Sequence, residues 1–528
     1  MKKSIYKLFL LGSLFLLFAC NEKEFLEEHP KDDIYAENLF VDYNGFKNVL
    51  NSLLCMVAQE RGDLGGSFEL GLPMKIGVDN GWANYTYNML DGFNAYGVSL
   101  NSGYAPLETI FNWLYRAVNT SNMIISRAEN PAVDWKGQTA EQNEVNKNLI
   151  LAQAKLIRAW AYRHLTYCFG PVPLSLEEIN GQTYRNDWER TPVAEIQDQM
   201  EQDLLFAEQY LPESYSNISI PPKAVAQHYL AELYLSMNDP LNAEIKAQAV
   251  ADNPHFSLDT VRYGVKAKSP GVAFMDQFYD GNVLPSEGNK EVLWLIINEP
   301  DVIGAPVNIM RRTWVNRYYN FATVTADYGG RGIGRSAFTR WAHNLYEPTD
   351  DRFSQYAISK SYIKTSDGST VLTRVKAEVK NDQLWPSTKK WDWTHPDITR
   401  VTDDGQFGDQ PYLRLADTYL LLAEAQFKNG HPESAVKWIN KIRRRSHATE
   451  ITSAQVTLDY ILDERSRELL TEELRRYTLQ RTGTLISRTL LYNPVSAAIQ
   501  SKHVLWPIPQ TIIDANTGKP MEQNEGYN

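Results

Sequence analysis

The chain has 528 residues, 43% of them hydrophobic and 22% charged, with a formal net charge of −11. That length allows two or three average domains or one large one, and the composition is that of an ordinary globular protein. The acidic balance argues against a nucleic-acid partner, because phosphates are held by clustered Lys and Arg. The dense basic runs, Arg443-Arg444-Arg445 and Arg475-Arg476, sit among helical acids and read as solvated faces.

The first nineteen residues carry Lys2, Lys3 and Lys7, then an apolar run from Leu8 to Phe18 broken by Gly12 and Ser13, then the small Ala19. Such a run is too short to cross a bilayer of about 30 Å and has the three parts of a secretory signal. The ending Leu17-Phe18-Ala19-Cys20 resembles the bacterial lipobox, which implies cleavage before Cys20 and acylation of its sulfur (palmitate-type anchoring). Cleavage would remove three lysines and no acid, taking −11 to −14. Each buried methylene of such chains contributes about 0.8 kcal/mol, so two or three chains anchor firmly.

Apolar residues recur at helical spacing from Leu39 to Gln59, whereas 61–106 is rich in Gly, Asn and Tyr and reads as mostly loop. Helical spacing returns at 107–128 and 145–168, the latter stopped by Gly170-Pro171-Val172-Pro173. Thr191-Pro192 predicts a further helix, with Thr191 as its cap, running to Leu211-Pro212. Helix pairs follow at 222–237 with 240–251 and at 412–429 with 432–445. Ala231 precedes Ala243 by the spacing that separates Ala423 from Ala435, as in tetratricopeptide units. Between the pairs, 255–410 is loop-rich, with one clear strand at Glu291–Ile297. The other two cysteines, Cys55 and Cys168, lie in apolar contexts and read as buried free thiols in preference to a disulfide.

Five blocks in order carry a family resemblance: Phe25-Leu26 to Pro30; Arg158-Ala159-Trp160 to Phe169-Gly170-Pro171; Arg414 to Ala425 with Ile439-Asn440; Glu464-Arg465 to Arg475-Arg476; and Pro507-Ile508-Pro509 with Gln523-Asn524 and Gly526-Tyr527. Together they resemble the SusD-like (RagB/SusD) outer-membrane nutrient-binding lipoproteins. The resemblance implies a mainly α fold, with tetratricopeptide-type helix pairs as scaffold, long irregular loops and a few short strands. It divides the chain into a signal at 1–19, a SusD-like N-terminal part at 20–220 and a RagB/SusD part at 221–528, forming one compact unit. Within the fourth block, Glu464 and Glu468 are expected as buried partners of Arg465, Arg475 and Arg476, and Glu472 is expected to pair with Arg476 one turn on.

Catalytic signatures are missing: there is no His-Glu-x-x-His helix, no Gly-x-Ser-x-Gly elbow and no phosphate loop. Gly329-Gly330-Arg331-Gly332-Ile333-Gly334 follows no strand, and the nine His show no metal spacing. No cofactor and no metal are expected. Sugar rings stack their C–H faces on Trp or Tyr while Asn, Asp and Arg hydrogen-bond the hydroxyls. Two loops offer that set: Asp79, Asn80, Trp82 and Tyr85 in one, and Trp314, Arg317, Tyr318 and Tyr319 in the other. Trp385 is a weaker candidate, and Trp391 reads as part of a Lys-aromatic strand. The resemblance implies a surface glycan-binding protein, not an enzyme, serving a TonB-dependent SusC-like transporter. A peptide cargo on the same fold, or a surface glycoside hydrolase, are the alternatives.

Overall fold

In the computed structural model, residues 39–63, 68–85, 88–298, 306–318, 332–364, 366–391 and 408–527 are described. The signal, Cys20, the Phe25–Pro30 block and Tyr319 lie outside them.

Helix α1 (Tyr43–Ala58) starts where the Asp42 carboxylate accepts the Gly45 N–H at 3.0 Å, and it buries Phe46, Val49, Leu50, Leu53 and Val57 along one face. Helices α2 (Ala105–Arg127) and α3 (Ala140–Phe169) follow, α3 ending at Gly170 with φ +72°. Helix α4 (Val193–Tyr210) begins one residue later than expected, with Pro192 at the cap position. Thr191 instead donates its backbone N–H to Val172 O (3.0 Å) and accepts the Leu174 N–H on its hydroxyl (3.3 Å), bracing the chain that follows α3.

The expected helix pairs form as α5 (Lys223–Ser236) with α6 (Pro240–Ala251) and α7 (Leu415–Lys428) with α8 (Pro432–Arg445). Ala231, Ala243, Ala423 and Ala435 are all fully buried, which lets the backbones approach. Each helix from α2 to α8 packs on the next, so α6 lies directly on α7 although segment 252–414 separates them in sequence. That segment leaves the helical array and returns to it. Its base is closed by two antiparallel strands, β1 (Val292–Ile296) and β2 (Gln410–Arg414), with Gln410 opposite Ile296 and Arg414 opposite Val292. Residues 412–414, expected as helix, therefore belong to a strand, buried on both faces.

The 461–476 segment is two helices, α9 (Leu458–Glu468) and α10 (Arg475–Arg481), joined by a turn with Thr471 at φ +71°. The break has a use. The free carbonyls at the end of α9 take cations: Lys390 Nζ donates to Glu468 O (2.8 Å) and Leu470 O (3.2 Å), and Arg414 to Glu468 O (3.2 Å).

Glu464 and Glu468 are buried as expected, but their partners are not Arg465, Arg475 or Arg476, and all except Arg467 come from elsewhere in the chain. Glu464 pairs with Arg352 (2.7 Å), Arg443 (2.8 Å) and Arg467 (2.7 Å). Glu468 pairs with Arg352 (3.2 Å), Arg414 (2.9 Å) and Arg445 (2.5 Å). Arg465 instead meets Asp417 and Glu473, Arg475 meets Asp79 and Glu473, and Arg476 donates to the Tyr96 hydroxyl. Glu472 belongs to Arg414 and Lys390, so it does not pair with Arg476. The two basic runs are thus not solvated faces: Arg443, Arg445, Arg475 and Arg476 are buried, and Arg444 alone of the five faces water. Burial would raise the Glu464 carboxyl, yet Arg352, Arg467 and Arg443 outweigh it and hold it down to about 2. Cys55 is half-buried and Cys168 buried, both free; burial pushes the Cys168 thiol up to about 12.

Candidate functional site

The two aromatic loops, more than 200 residues apart in sequence, are stitched together by a short antiparallel pair, β3 (Gly81–Ala83) with β4 (Ser336–Phe338), in which Trp82 faces Ala337. Tyr85 N–H continues the pairing to Arg335 O at 3.1 Å. Within the second loop, Gly332 lets the chain pass close to Asn316, since a Cβ there would stand 2.2 Å from Asn316 O.

A third loop, 374–384, completes the rim. Asn84 is its clamp: its amide donates to Gly334 O (3.2 Å) and Asp382 O (3.0 Å), its side-chain carbonyl accepts Asp382 N–H (3.2 Å), and its backbone carbonyl accepts Asn381 N–H (2.7 Å). Asn316 donates to Trp385 O just below. Sequence reasoning missed this third loop because it carries neither a motif nor an aromatic cluster; its run of lysines and an arginine from 374 to 380 was the available signal.

The residues expected to touch ligand divide into two groups. Asp79 is fully buried, with its carboxylate accepting from Arg475 (2.9 and 2.7 Å) and Arg488 (2.9 Å). Asn80 donates to the Ser466 hydroxyl at 3.1 Å. Trp82 is fully buried; its indole N–H donates to Phe338 O (3.0 Å) and its ring meets Trp385 edge-on at 5.7 Å. Trp314 is buried against Phe338, ring to ring at 6.2 Å, and Tyr318 is buried, accepting from Arg311 (3.0 Å) and stacked on Tyr362 at 5.4 Å. These five hold the loops from beneath and offer no free face. Trp385 and Trp391 are fully buried too, Trp391 donating to the Thr471 hydroxyl at 2.7 Å.

Tyr85 and Arg317 form the other group. Both are half-buried, with the guanidinium of Arg317 lying 4.9 Å over the Tyr85 ring. Around them Asn84, Asn316, Ile333, Gly334, Asn381, Asp382 and Gln383 line a small depression. The last three of these also border a larger cleft of about 660 Å³ lined by Lys364, Val371, Arg374, Lys376 and Lys380. A flat ring, a planar cation and the exposed Asn381 at one rim can bind; Asp79 beneath is locked in ion pairs. Among the described residues no group of three or more His, Cys, Asp or Glu is placed to hold a metal. A separate concavity of about 770 Å³ lies between α2, residues 173–188 and residues 512–521, with Tyr184 exposed at its edge.

Two family models match the chain: one described as SusD family over residues 290–527, and one described as "Starch-binding associating with outer membrane" over residues 24–235. SusD-like protein P25 of Formosa agariphila is 25% identical over 95% of this chain and 96% of its own length. The starch-binding protein SusD of Bacteroides thetaiotaomicron is 36% identical over a shorter stretch, 22% of each chain. Among solved structures, a laminarin-binding SusD-like protein superposes with a TM-score of 0.71 at 20% identity, covering 92% of this chain and 99% of its own.

Proposed function

The chain belongs to the SusD-like family, and from that premise we propose that it is a glycan-binding lipoprotein of the cell surface. In this reading it is anchored to the outer membrane through Cys20 and passes captured oligosaccharide to a TonB-dependent SusC-like transporter. Relatives described as binding starch or laminarin support the glycan reading. The observation that carries it is the rim where three loops converge, with Tyr85 and Arg317 at the surface and Asp79, Asn80, Trp82, Trp314 and Tyr318 fixing the loops below.

The work done is capture, with no bond made or broken. The Tyr85 face supplies dispersion and C–H contacts to a pyranose, while Arg317 and Asn381 supply donors for its hydroxyls. Packing beneath the rim keeps the loops in place before ligand arrives, which lowers the ordering cost of binding.

Titration calorimetry of the full chain against a panel of glycans tests this. Binding to at least one glycan is expected, and Tyr85→Ala should weaken it while leaving the melting temperature unchanged. No binding across the panel refutes the reading. Co-purification of a barrel transporter from membranes, lost from the membrane fraction with Cys20→Ala, tests the anchor and the partner.

A further inference from the structure

The cleft beside Tyr85 and Arg317 has a charge opposite to that of the protein around it. Arg374 and Lys376 line it without a carboxylate partner among the described residues, while Lys364 beside them already faces the charge of the Asp367 carboxylate. Lys380, the fourth cation of the cleft, is already neutralised by Asp91 at 2.7 Å. Arg317 adjoins them across Asn381, Asp382 and Gln383, and its Nε is buried without an acceptor among the described residues. Among the described residues, the one carboxylate in either lining is Asp382, which accepts the Leu384 N–H at 2.8 Å. Nearby Glu378 is turned to the Arg340 N–H at 2.6 Å. Two other guanidiniums at the surface are given acids, Arg127 by Glu178 and Arg444 by Glu450.

Gathering Arg317, Arg374 and Lys376 around the single carboxylate of Asp382 leaves a surplus of positive charge that costs mutual repulsion, and a neutral sugar returns nothing for it. An anionic ligand recovers that cost, and Arg374 and Arg317 can meet a carboxylate or sulfate with two parallel hydrogen bonds. The body's net charge of −11 does not prevent this, because at physiological salt charges beyond about 8 Å are largely screened. The local field of the cleft decides.

We infer that the glycan taken at this site is polyanionic, with its carboxylate or sulfate groups held by Arg317, Arg374 and Lys376 and a sugar ring on Tyr85. The inference rests on the reading of the rim as a glycan site and specifies its ligand.

The test compares polygalacturonate, a sulfated galactan, a neutral β-glucan and polyglutamate as probes for the full chain. At least one anionic polysaccharide should bind about tenfold tighter than the β-glucan, and its binding should weaken about tenfold between about 0.05 and about 0.5 M NaCl. The double variant Arg374→Gln/Lys376→Gln should lose about tenfold for that polymer with an unchanged circular dichroism spectrum. Tyr184→Ala, at the separate concavity, should change nothing. Which anionic polymer wins identifies the anion as carboxylate or sulfate. Equal or tighter binding of the β-glucan, unaffected by the double variant, overturns this inference and leaves the glycan function standing. Polyglutamate binding as tightly as the polysaccharide, with Tyr85→Ala silent, also overturns it by making the cleft a site for an acidic protein. Absence of binding to every glycan removes the site itself.

Discussion

Glu468→Gln is the sharpest test of how the scaffold is held. The carboxylate is fully buried and meets three guanidiniums, those of Arg352 at 3.2 Å, Arg414 at 2.9 Å and Arg445 at 2.5 Å. The amide keeps the shape but removes the charge, leaving those cations with Asp350, Glu464, Glu291 and Glu472 alone. Breaking a buried ion cluster on one side costs about 3–5 kcal/mol. Unfolding entropy of about 2.1 cal/mol/K per residue gives roughly 1 kcal/mol/K for a body of this size, so the melting temperature should fall by about 3–5 °C. Scanning calorimetry at pH 7 reads it. The same scan on Arg444→Gln, whose pair with Glu450 is exposed, should show no change outside error. Acid provides a second reading. A carboxyl held down to about 2, such as Glu464, contributes fully above its ordinary value of about 4.5 and loses that contribution as pH falls through 2. Glu468→Gln should therefore close part of its gap to the parent protein below pH 4. A melting temperature within 1 °C of the parent at pH 7 would refute the argument that buried pairing holds α9 in place.

Other substitutions separate support from contact. Trp82→Ala should cost about 3–5 kcal/mol of stability because it empties a packed site, whereas Tyr85→Ala should lower glycan affinity with an unchanged melt; a reversed pattern would place the ligand on Trp82. Burial, and then the charge of Glu291, pushes the Asp259 carboxyl up to about 7. The folded state thus favours its protonated form, a stabilising term lost as pH rises from about 4 through 7, so Asp259→Asn should gain about 2–4 kcal/mol over the parent at pH 8 and nothing at pH 4, read by urea unfolding. His343, buried among Phe338, Phe353 and Trp385 with neither ring nitrogen hydrogen-bonded among the described residues, is pushed down to about 3 by burial. Its neutral form is required in the fold, so stability falls as pH drops from about 6.5 toward 3; His343→Phe should remove about 2–3 kcal/mol of that fall by pH 4.5, and an unchanged pH slope would sink the assignment.

The helical half of the molecule was legible because its signals are local. Apolar spacing, Pro and Gly stops and the repeated alanines mark α1 to α8 within a turn or so. The errors arise where long-range partners decide. Thr191 looks like a cap until Val172 claims its N–H, and the 461–476 segment looks continuous until Lys390 and Arg414 claim the carbonyls at Glu468. Charged runs mislead for the same reason. Nothing in Arg443-Arg444-Arg445 says that acids from residues 291, 464 and 468 are waiting inside. At the site, the sequence located two of the three loops but ranked residues by ring size. Large rings in loops are as useful for fixing a loop as for binding, and here Trp82 and Trp314 fix while Tyr85 is left at the surface.

The way segment 252–414 leaves and rejoins the helix array has a consequence for how binding specificity can change. Ile296 and Gln410 already sit opposite one another at the neck, so the place where the chain leaves and rejoins the array is fixed by that pairing. The region beyond could be exchanged between relatives as a cassette, with one condition. Arg352 and Lys390 reach back from it into the acids of α9 and the turn that follows, like pins in a socket. A donor cassette without cations at those two points would leave the scaffold's own glutamates short of charge, so a successful graft must bring its pins with it.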